Sequence, residues 1–169
     1  MKKKMLMMAA LLCCLMGFTA CGSDDEPDPT VTTTYTVNFG ADFFKVAQTA
    51  IIRYVGDNGT AKFEALNSSS SRTWTKTVQT SSYPARMGFL IEVSTVSESE
   101  LTQDTYDVSV SGAISYSSTE SSASNSKDLI KGSGKSKSEV ISFLENNTPC
   151  NYGYILSRNG GLATTTISF

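Results

Sequence analysis

The chain contains 169 residues, with 14 Lys or Arg, 16 Asp or Glu, four Cys and no His. This length fits a single domain. The lack of His excludes Ser-His-Asp and Cys-His catalytic units and every zinc site that uses His. The formal net charge of −2 provides no electrostatic attraction to nucleic acid, so we expect no such partner. Ser and Thr together supply 45 residues, a bias that favours strands and exposed loops over helical bundles.

The first twenty residues have the three parts of a secretory signal. Residues 2–4 are lysines, residues 5–18 form an apolar run, and the small residues Thr19 and Ala20 precede Cys21. The apolar run is shorter than the roughly 20 residues that a membrane-spanning helix needs. We therefore expect residues 1–20 to be a cleaved signal peptide; the alternative is a retained membrane anchor.

The residues around Cys21 are similar to a known processing site. One segment resembles a bacterial lipobox: it runs Phe18-Thr19-Ala20-Cys21-Gly22, with Phe18 where Leu is usual. The stretch that follows resembles the acidic export signal of surface lipoproteins of the Bacteroidetes type; it comprises Ser23, Asp24, Asp25 and Glu26. The resemblance covers residues 1–30 and identifies no family for the rest of the chain. It implies a lipid on Cys21 and an outer-membrane location that faces the cell exterior. The alternative is an ordinary acidic linker that contains proline.

The segment after Cys21 is too polar to bury surface. Residues 22–30 contain four acids and two prolines, so we expect residues 21–30 to form a disordered tether between membrane and domain. The four cysteines agree with this arrangement. Cys13 and Cys14 would be removed with the signal peptide and Cys21 would carry the lipid, so Cys150 would have no disulfide partner. No His is present to lower its pKa, so we expect Cys150 to be a buried apolar side chain rather than a nucleophile.

The rest of the chain has the pattern of a β protein. Apolar and polar residues alternate with the period of a half-buried strand. Two Asn-Gly pairs, which begin at Asn58 and Asn159, predict tight hairpin turns because both residue types tolerate positive φ. We predict about eight strands, at residues 31–39, 43–55, 60–66, 73–80, 86–96, 106–116, 152–157 and 162–169.

One helix and one long polar segment interrupt these strands. Ser136 and Glu139 have the spacing of a capping box, and the apolar stripe that follows ends before Pro149, which predicts a short helix. Residues 117–138 are nearly all Ser, Lys, Gly, Thr and Asn, so we expect a mobile or functional loop there. The last predicted strand ends on Phe169, whose ring we expect to be buried.

These elements favour one fold class. Short strands joined by turns, without helices between them, are typical of antiparallel sandwiches. We therefore predict that residues 31–169 form a single all-β domain, an antiparallel two-layer β-sandwich of the immunoglobulin-like or a similar type, with about eight strands and one short helix. A closed barrel is the alternative.

Trp74 is the candidate ligand contact. It lies between Arg72 and Lys76 on a predicted strand, and an exposed aromatic ring with cationic neighbours can stack on a sugar. The alternative is that Trp74 is the centre of the core, as single tryptophans in sandwiches often are. The acids within residues 98–104 fit a solvated loop and lack a calcium-loop pattern, so we predict no catalytic residue, no metal and no cofactor.

Composition favours a protein that binds over one that catalyses. We expect a non-enzymatic, lipid-anchored surface module that contacts a glycan or another surface protein and reaches the membrane through a lipid on Cys21. One alternative is a hydrolase that uses two carboxylates such as Glu64 and Glu92, with residues 117–138 as a lid. The other is a fimbria-like assembly subunit in which residues 31–39 are donated between copies.

Overall fold

The computed structural model of the protein describes residues 28–169. The predicted signal peptide, the lipid site Cys21 and the export-signal residues Ser23, Asp24, Asp25 and Glu26 lie outside the described residues. Of the predicted tether, residues 28–30 are described, and Asp28 Oδ1 lies 2.9 Å from Arg158 Nε. Neither helix within residues 28–169 is long and apolar enough to cross a membrane.

The described part of the chain is mostly β, with eleven strands and two helices. The strands are β1 (Val31–Phe39), β2 (Ala47–Val55), β3 (Ala61–Leu66), β4 (Thr73–Thr80), β5 (Ala85–Thr95), β6 (Thr105–Tyr106), β7 (Val110–Ser117), β8 (Ser122–Ile130), β9 (Lys135–Ser136), β10 (Cys150–Leu156) and β11 (Leu162–Thr164). The helices are α1 (Phe43–Val46) and α2 (Lys137–Asn146). One sheet has the strand order β4-β1-β7-β8, the other has the order β11-β10-β5-β2-β3, and β6 pairs with β9. The prediction of an all-β antiparallel sandwich is confirmed.

Strand alternation places one face of each sheet in a shared core. On β1, Val31, Tyr35 and Val37 are fully buried, whereas Thr32, Thr34 and Thr36 of the other parity are half-buried. The opposite sheet contributes Ile52 and Phe89, which are also fully buried. Burial of side chains of this size contributes about 1.5–3 kcal/mol each relative to exposure. All the buried apolar residues of the described part lie between Val31 and Ile167.

The expectation of a loop at residues 117–138 is wrong. Residues 122–130 of this segment form the strand β8, which pairs antiparallel with β7. Its outward side chains include Ser122, Ser124 and Ser126, and the strand ends on the buried Ile130. An antiparallel sheet can leave one face in water, so a strand can be polar at every outward position. High polarity therefore did not indicate a loop here.

Several element boundaries also differ from the prediction. The predicted strand 43–55 begins with the helical turn α1, which buries Phe43 and Val46. The predicted strand 106–116 is divided into β6 and β7. Ser136 is the N-cap of α2 as predicted, but its hydroxyl donates to Glu139 Oε2 at 2.8 Å and makes no cap hydrogen bond to the backbone.

The last five residues cross the outer face of the five-stranded sheet. Gly88 on β5 pairs with Gly153 on β10, and a Cβ added to either glycine would lie 2.5 Å from Ile167 Cγ1. Ile167 is therefore 2% exposed and packs directly on the sheet backbone. The last strand ends at Thr164 and Phe169 is 44% exposed, so the prediction of a buried terminal ring is wrong.

Candidate functional site

The structure places Trp74 in the core, where it is 5% exposed. Its ring lies parallel to that of Tyr35, at 10° with 6.5 Å between ring centres, and 5.3 Å from the ring of Tyr54. Neither face of the indole is open to solvent, so the interpretation of Trp74 as a sugar-stacking residue is wrong and the core alternative is confirmed. The reason is strand parity, because Trp74 and Val78 point to the same side of β4.

Lys76 and Arg72 do not form a site with Trp74. Arg72 precedes β4 and is exposed. Lys76 Nζ donates to Glu64 Oε1 at 2.6 Å, and Trp74 Nε1 donates to Glu64 Oε2 at 2.8 Å. A third donor, the hydroxyl of Tyr54, lies 3.2 Å from Glu64 Oε1. Lys76 is therefore a partner of an internal carboxylate rather than a free cation.

The Glu64 carboxylate ties together the two edge strands on this side of the sandwich. Glu64 lies on β3, whereas Trp74 and Lys76 lie on β4 in the opposite sheet. The hydrogen bond from Lys76 is the main reason that the pKa of Glu64 lies below its ordinary value, and the same bond raises the pKa of Lys76. The arrangement closes this side of the sandwich and serves structure.

Glu64 and Glu92 cannot act as a carboxylate pair. Glu64 pairs with Ile52 and Glu92 pairs with Ile51, which are successive residues of β2. Successive residues of a strand point to opposite faces of a sheet. Glu64 therefore points between the sheets, whereas Glu92 lies on the outer face and accepts a hydrogen bond of 2.8 Å from Arg53 Nε.

The opposite side of the sandwich contains a cleft. It has a volume of about 530 Å³ and lies between β8 in one sheet and β10 and β11 in the other. Pockets of about 300–1,000 Å³ accommodate small ligands. The cleft is lined by Ser126 and Lys127, by Tyr152 and Tyr154, and by Thr164, Thr165 and Thr166.

Two tyrosines of β10 form the aromatic part of the cleft. Tyr152 and Tyr154 share a parity, so both rings lie on the same side of the strand, with centres 5.4 Å apart. Their hydroxyl oxygens are 2.9 Å apart and share one hydrogen bond. Burial is the main reason that the pKa of Tyr152 is raised, and the hydrogen bond to Tyr154 adds to it. The Tyr152 phenol is thus neutral at pH 7, and because the two hydroxyls share one hydrogen bond, one O–H stays free to donate.

Comparison with protein families, curated proteins and solved structures gives no match. The assignment of the cleft therefore depends on its geometry and chemistry.

The wall of the cleft is held by the chain segment after β11. Asn151 Nδ2 donates to the carbonyl of Ile167 at 2.6 Å, and Asn151 Oδ1 accepts the N–H of Ile167 at 3.0 Å. The N–H of Thr165 donates to the carbonyl of Gly153 at 3.0 Å. These bonds hold residues 164–166 beside β10, so the hydroxyls that line the cleft have a defined position.

Cys150 begins β10 and is a free, half-buried thiol. Burial raises its pKa to about 11, so the thiol is protonated at neutral pH. A thiol is a poor nucleophile compared with a thiolate. The environment thus agrees with the expected apolar role of Cys150.

Sequence reasoning missed the cleft for a specific reason. Residues 126 and 127 fell in the segment interpreted as a loop, so no wall was expected opposite Tyr154. The sequence did contain a signal for a strand here. Ser122, Ser124 and Ser126 recur at every second position, which is the period of a strand, and the segment ends at the apolar Ile130.

Proposed function

We propose that the protein is a non-enzymatic, lipid-anchored surface protein that binds a short oligosaccharide in the cleft between β8 and β10. The observation that carries the proposal is the lining of the 530 Å³ cleft, which combines Tyr154, several hydroxyl side chains and one cation. Sugars present hydroxyl groups beside weakly polar ring faces. Hydroxyl side chains of the protein can exchange hydrogen bonds with the sugar hydroxyls. An aromatic side chain can pack against the face of the sugar ring.

Lys127 indicates the class of oligosaccharide that the cleft would prefer. It contributes the charged side chain of the cleft lining and is itself exposed. A hydrogen bond between an ammonium group and a carboxylate is stronger than one between neutral groups. We therefore expect the preferred oligosaccharide to contain an acidic sugar, with its carboxylate at Lys127 and a neighbouring ring against Tyr154.

The proposed anchor depends on the resemblance at Cys21. A protein held by two or more acyl chains stays on a membrane, because each buried methylene contributes about 0.8 kcal/mol. The nine residues from 22 to 30 span up to roughly 30 Å when extended. That reach is sufficient to hold the cleft clear of the lipid headgroups, where extracellular glycans are accessible.

The alternatives receive less support from the geometry. The acids Glu64 and Glu92 of the hydrolase hypothesis lie on opposite faces of a sheet. In the fimbria-like alternative, β1 would have to leave its place. It is paired on both sides, with β4 and with β7, and carries the centre of the core. Its release would cost two ladders of backbone hydrogen bonds.

A glycan array probed with residues 28–169, followed by calorimetric titration of the best-bound oligosaccharide, tests the proposal. Tyr154→Ala should weaken binding by roughly tenfold through loss of ring contact. Lys127→Met should weaken binding of acidic oligosaccharides by roughly tenfold and leave neutral ones unchanged. The matched control is Thr75→Ala on the outer face of β4, which should bind like the unmodified chain. Absence of any binding, or equal affinity for Tyr154→Ala, would overturn the proposal.

A further inference from the structure

The exposed large apolar side chains of the described part lie on one face of the molecule. Phe63 is 68% exposed and Phe169 is 44% exposed. Phe63 pairs with Arg53, which lies on the outer face of the five-stranded sheet. Phe169 lines a small hollow of about 270 Å³ on the same sheet together with Ala61. Two exposed aromatic rings on one face of a domain are candidates for a contact with a partner.

Phe63 also lies on an open sheet edge. β3 is the last strand of its sheet and pairs with β2 alone. Natural edge strands are protected by proline, by bulges or by charges that repel an incoming strand. β3 contains no proline, and its pairing with β2 is regular over all six residues. Its two charged residues, Lys62 and Glu64, have opposite signs and flank Phe63.

This pattern is self-complementary. In an antiparallel pair of two β3 strands centred on Phe63, Phe63 lies opposite Phe63 of the second copy. Lys62 then lies opposite Glu64 of the second copy, and Ala61 lies opposite Ala65. Aromatic pairs and opposite charges are the favourable cross-strand neighbours in such a pair. A two-fold interface requires this symmetry, whereas an unrelated partner does not.

The carboxylate of Glu64 can accept one more hydrogen bond, from Lys62 of the second copy. This carboxylate accepts three hydrogen bonds within the chain, from Tyr54, Trp74 and Lys76. A carboxylate offers about four acceptor positions. The side chain of Glu64 is 35% exposed, so one acceptor position remains for Lys62 of the second copy.

We propose that two copies of the chain pair antiparallel along β3, with Phe63 at the two-fold axis. The pairing joins two five-stranded sheets into one continuous sheet and covers both Phe63 rings. The cleft between β8 and β10 lies at the other side of the sandwich. The dimer therefore leaves both clefts open and does not depend on the proposed oligosaccharide function.

Disulfide cross-linking tests both the partner and the register. In residues 28–169 carrying Cys150→Ala, Phe63→Cys places two thiols opposite each other at the axis, within the range of a disulfide. Ala65→Cys is the matched control: it lies on the same strand and face, but its two copies are four residues apart across the axis. Mild oxidation should yield the covalent dimer roughly tenfold faster for Phe63→Cys than for Ala65→Cys. Equal rates, or no dimer from Phe63→Cys, would overturn the proposal.

A second measurement tests the charge pairing. Lys62→Glu places Glu opposite Glu64 of the second copy, so sedimentation velocity should show loss of the dimer. Lys127→Glu makes the same charge change on β8 and should leave the dimer intact. Loss of the dimer in both variants, or in neither, would contradict pairing along β3.

Discussion

The hydroxyl of Tyr35 on β1 donates a hydrogen bond of 2.8 Å to the carbonyl of Val55 on β2, which belongs to the opposite sheet. The same hydroxyl accepts the N–H of Gly88 on β5 at 3.3 Å. Tyr35 is fully buried, and burial raises the pKa of its phenol well above the ordinary value. One neutral phenol thus satisfies backbone groups of two neighbouring strands across the core.

We expect Tyr35→Phe to destabilise the domain by about 1–3 kcal/mol, because it leaves buried backbone groups without a partner. Urea unfolding of residues 28–169 measures the change. The control is Tyr116→Phe, which removes a hydroxyl that makes no hydrogen bond within residues 28–169 and should cost less than about 0.5 kcal/mol. Equal effects of the two substitutions would contradict a bridging role for Tyr35.

The prediction of the fold from sequence succeeded where alternation and turn chemistry agreed. In β1, the buried positions from Val31 to Phe39 are those of one parity, as expected for a half-buried strand. The hairpin at Asn58 has the positive φ, 53°, that an Asn-Gly turn requires. Both signals are local, so a single sequence contains them.

The site could not be predicted in the same way. Alternation identifies the two faces of a strand but does not say which face lies in the core. For Trp74, the choice of face decides between a ligand contact and a core residue. The cleft requires that β8 lie opposite β10, which is a relation between the two sheets. Likewise, the interaction between Glu64 and Lys76 joins edge strands of different sheets, so sequence spacing alone does not show it.

The Glu64 interactions predict a dependence of stability on pH. The pKa of Glu64 is lower in the folded state than its ordinary value of 4.5. Its interactions therefore stabilise the domain fully above pH 4.5 and lose their effect as the pH falls through the lower folded-state pKa. Glu64→Gln should be less stable than the unmodified chain at pH 7, and the difference should shrink in acid.

Urea unfolding at a series of pH values checks this dependence. Lys76→Met removes the donor that lowers the pKa most, so it should reduce the pH-dependent part of the difference. The double variant Glu64→Gln with Lys76→Met should lose less than the sum of the two single variants, since the residues interact directly. Additive losses that do not vary with pH would be inconsistent with a coupled pair.

The proposed anchor predicts a specific effect of substitution at Cys21. In a bacterial host, the full chain should incorporate labelled palmitate and fractionate with membranes. Cys21→Ala should abolish the label and release the protein, because no acyl chain remains to be buried. Cys14→Ala is the matched control, since it lies within the predicted signal peptide, and it should remain labelled. Retention of label in Cys21→Ala would show that the lipid assignment is wrong.

NMR mapping of the binding surface tests most directly whether the cleft between β8 and β10 binds an oligosaccharide. Isotope-labelled residues 28–169 would be titrated with an acidic oligosaccharide identified on the array. We expect the largest amide shift changes to cluster at Lys127, Tyr154 and Thr165, with little change on β3 or around Trp74. Shift changes centred on the Trp74 side of the sandwich, or spread evenly over the surface, would contradict this expectation.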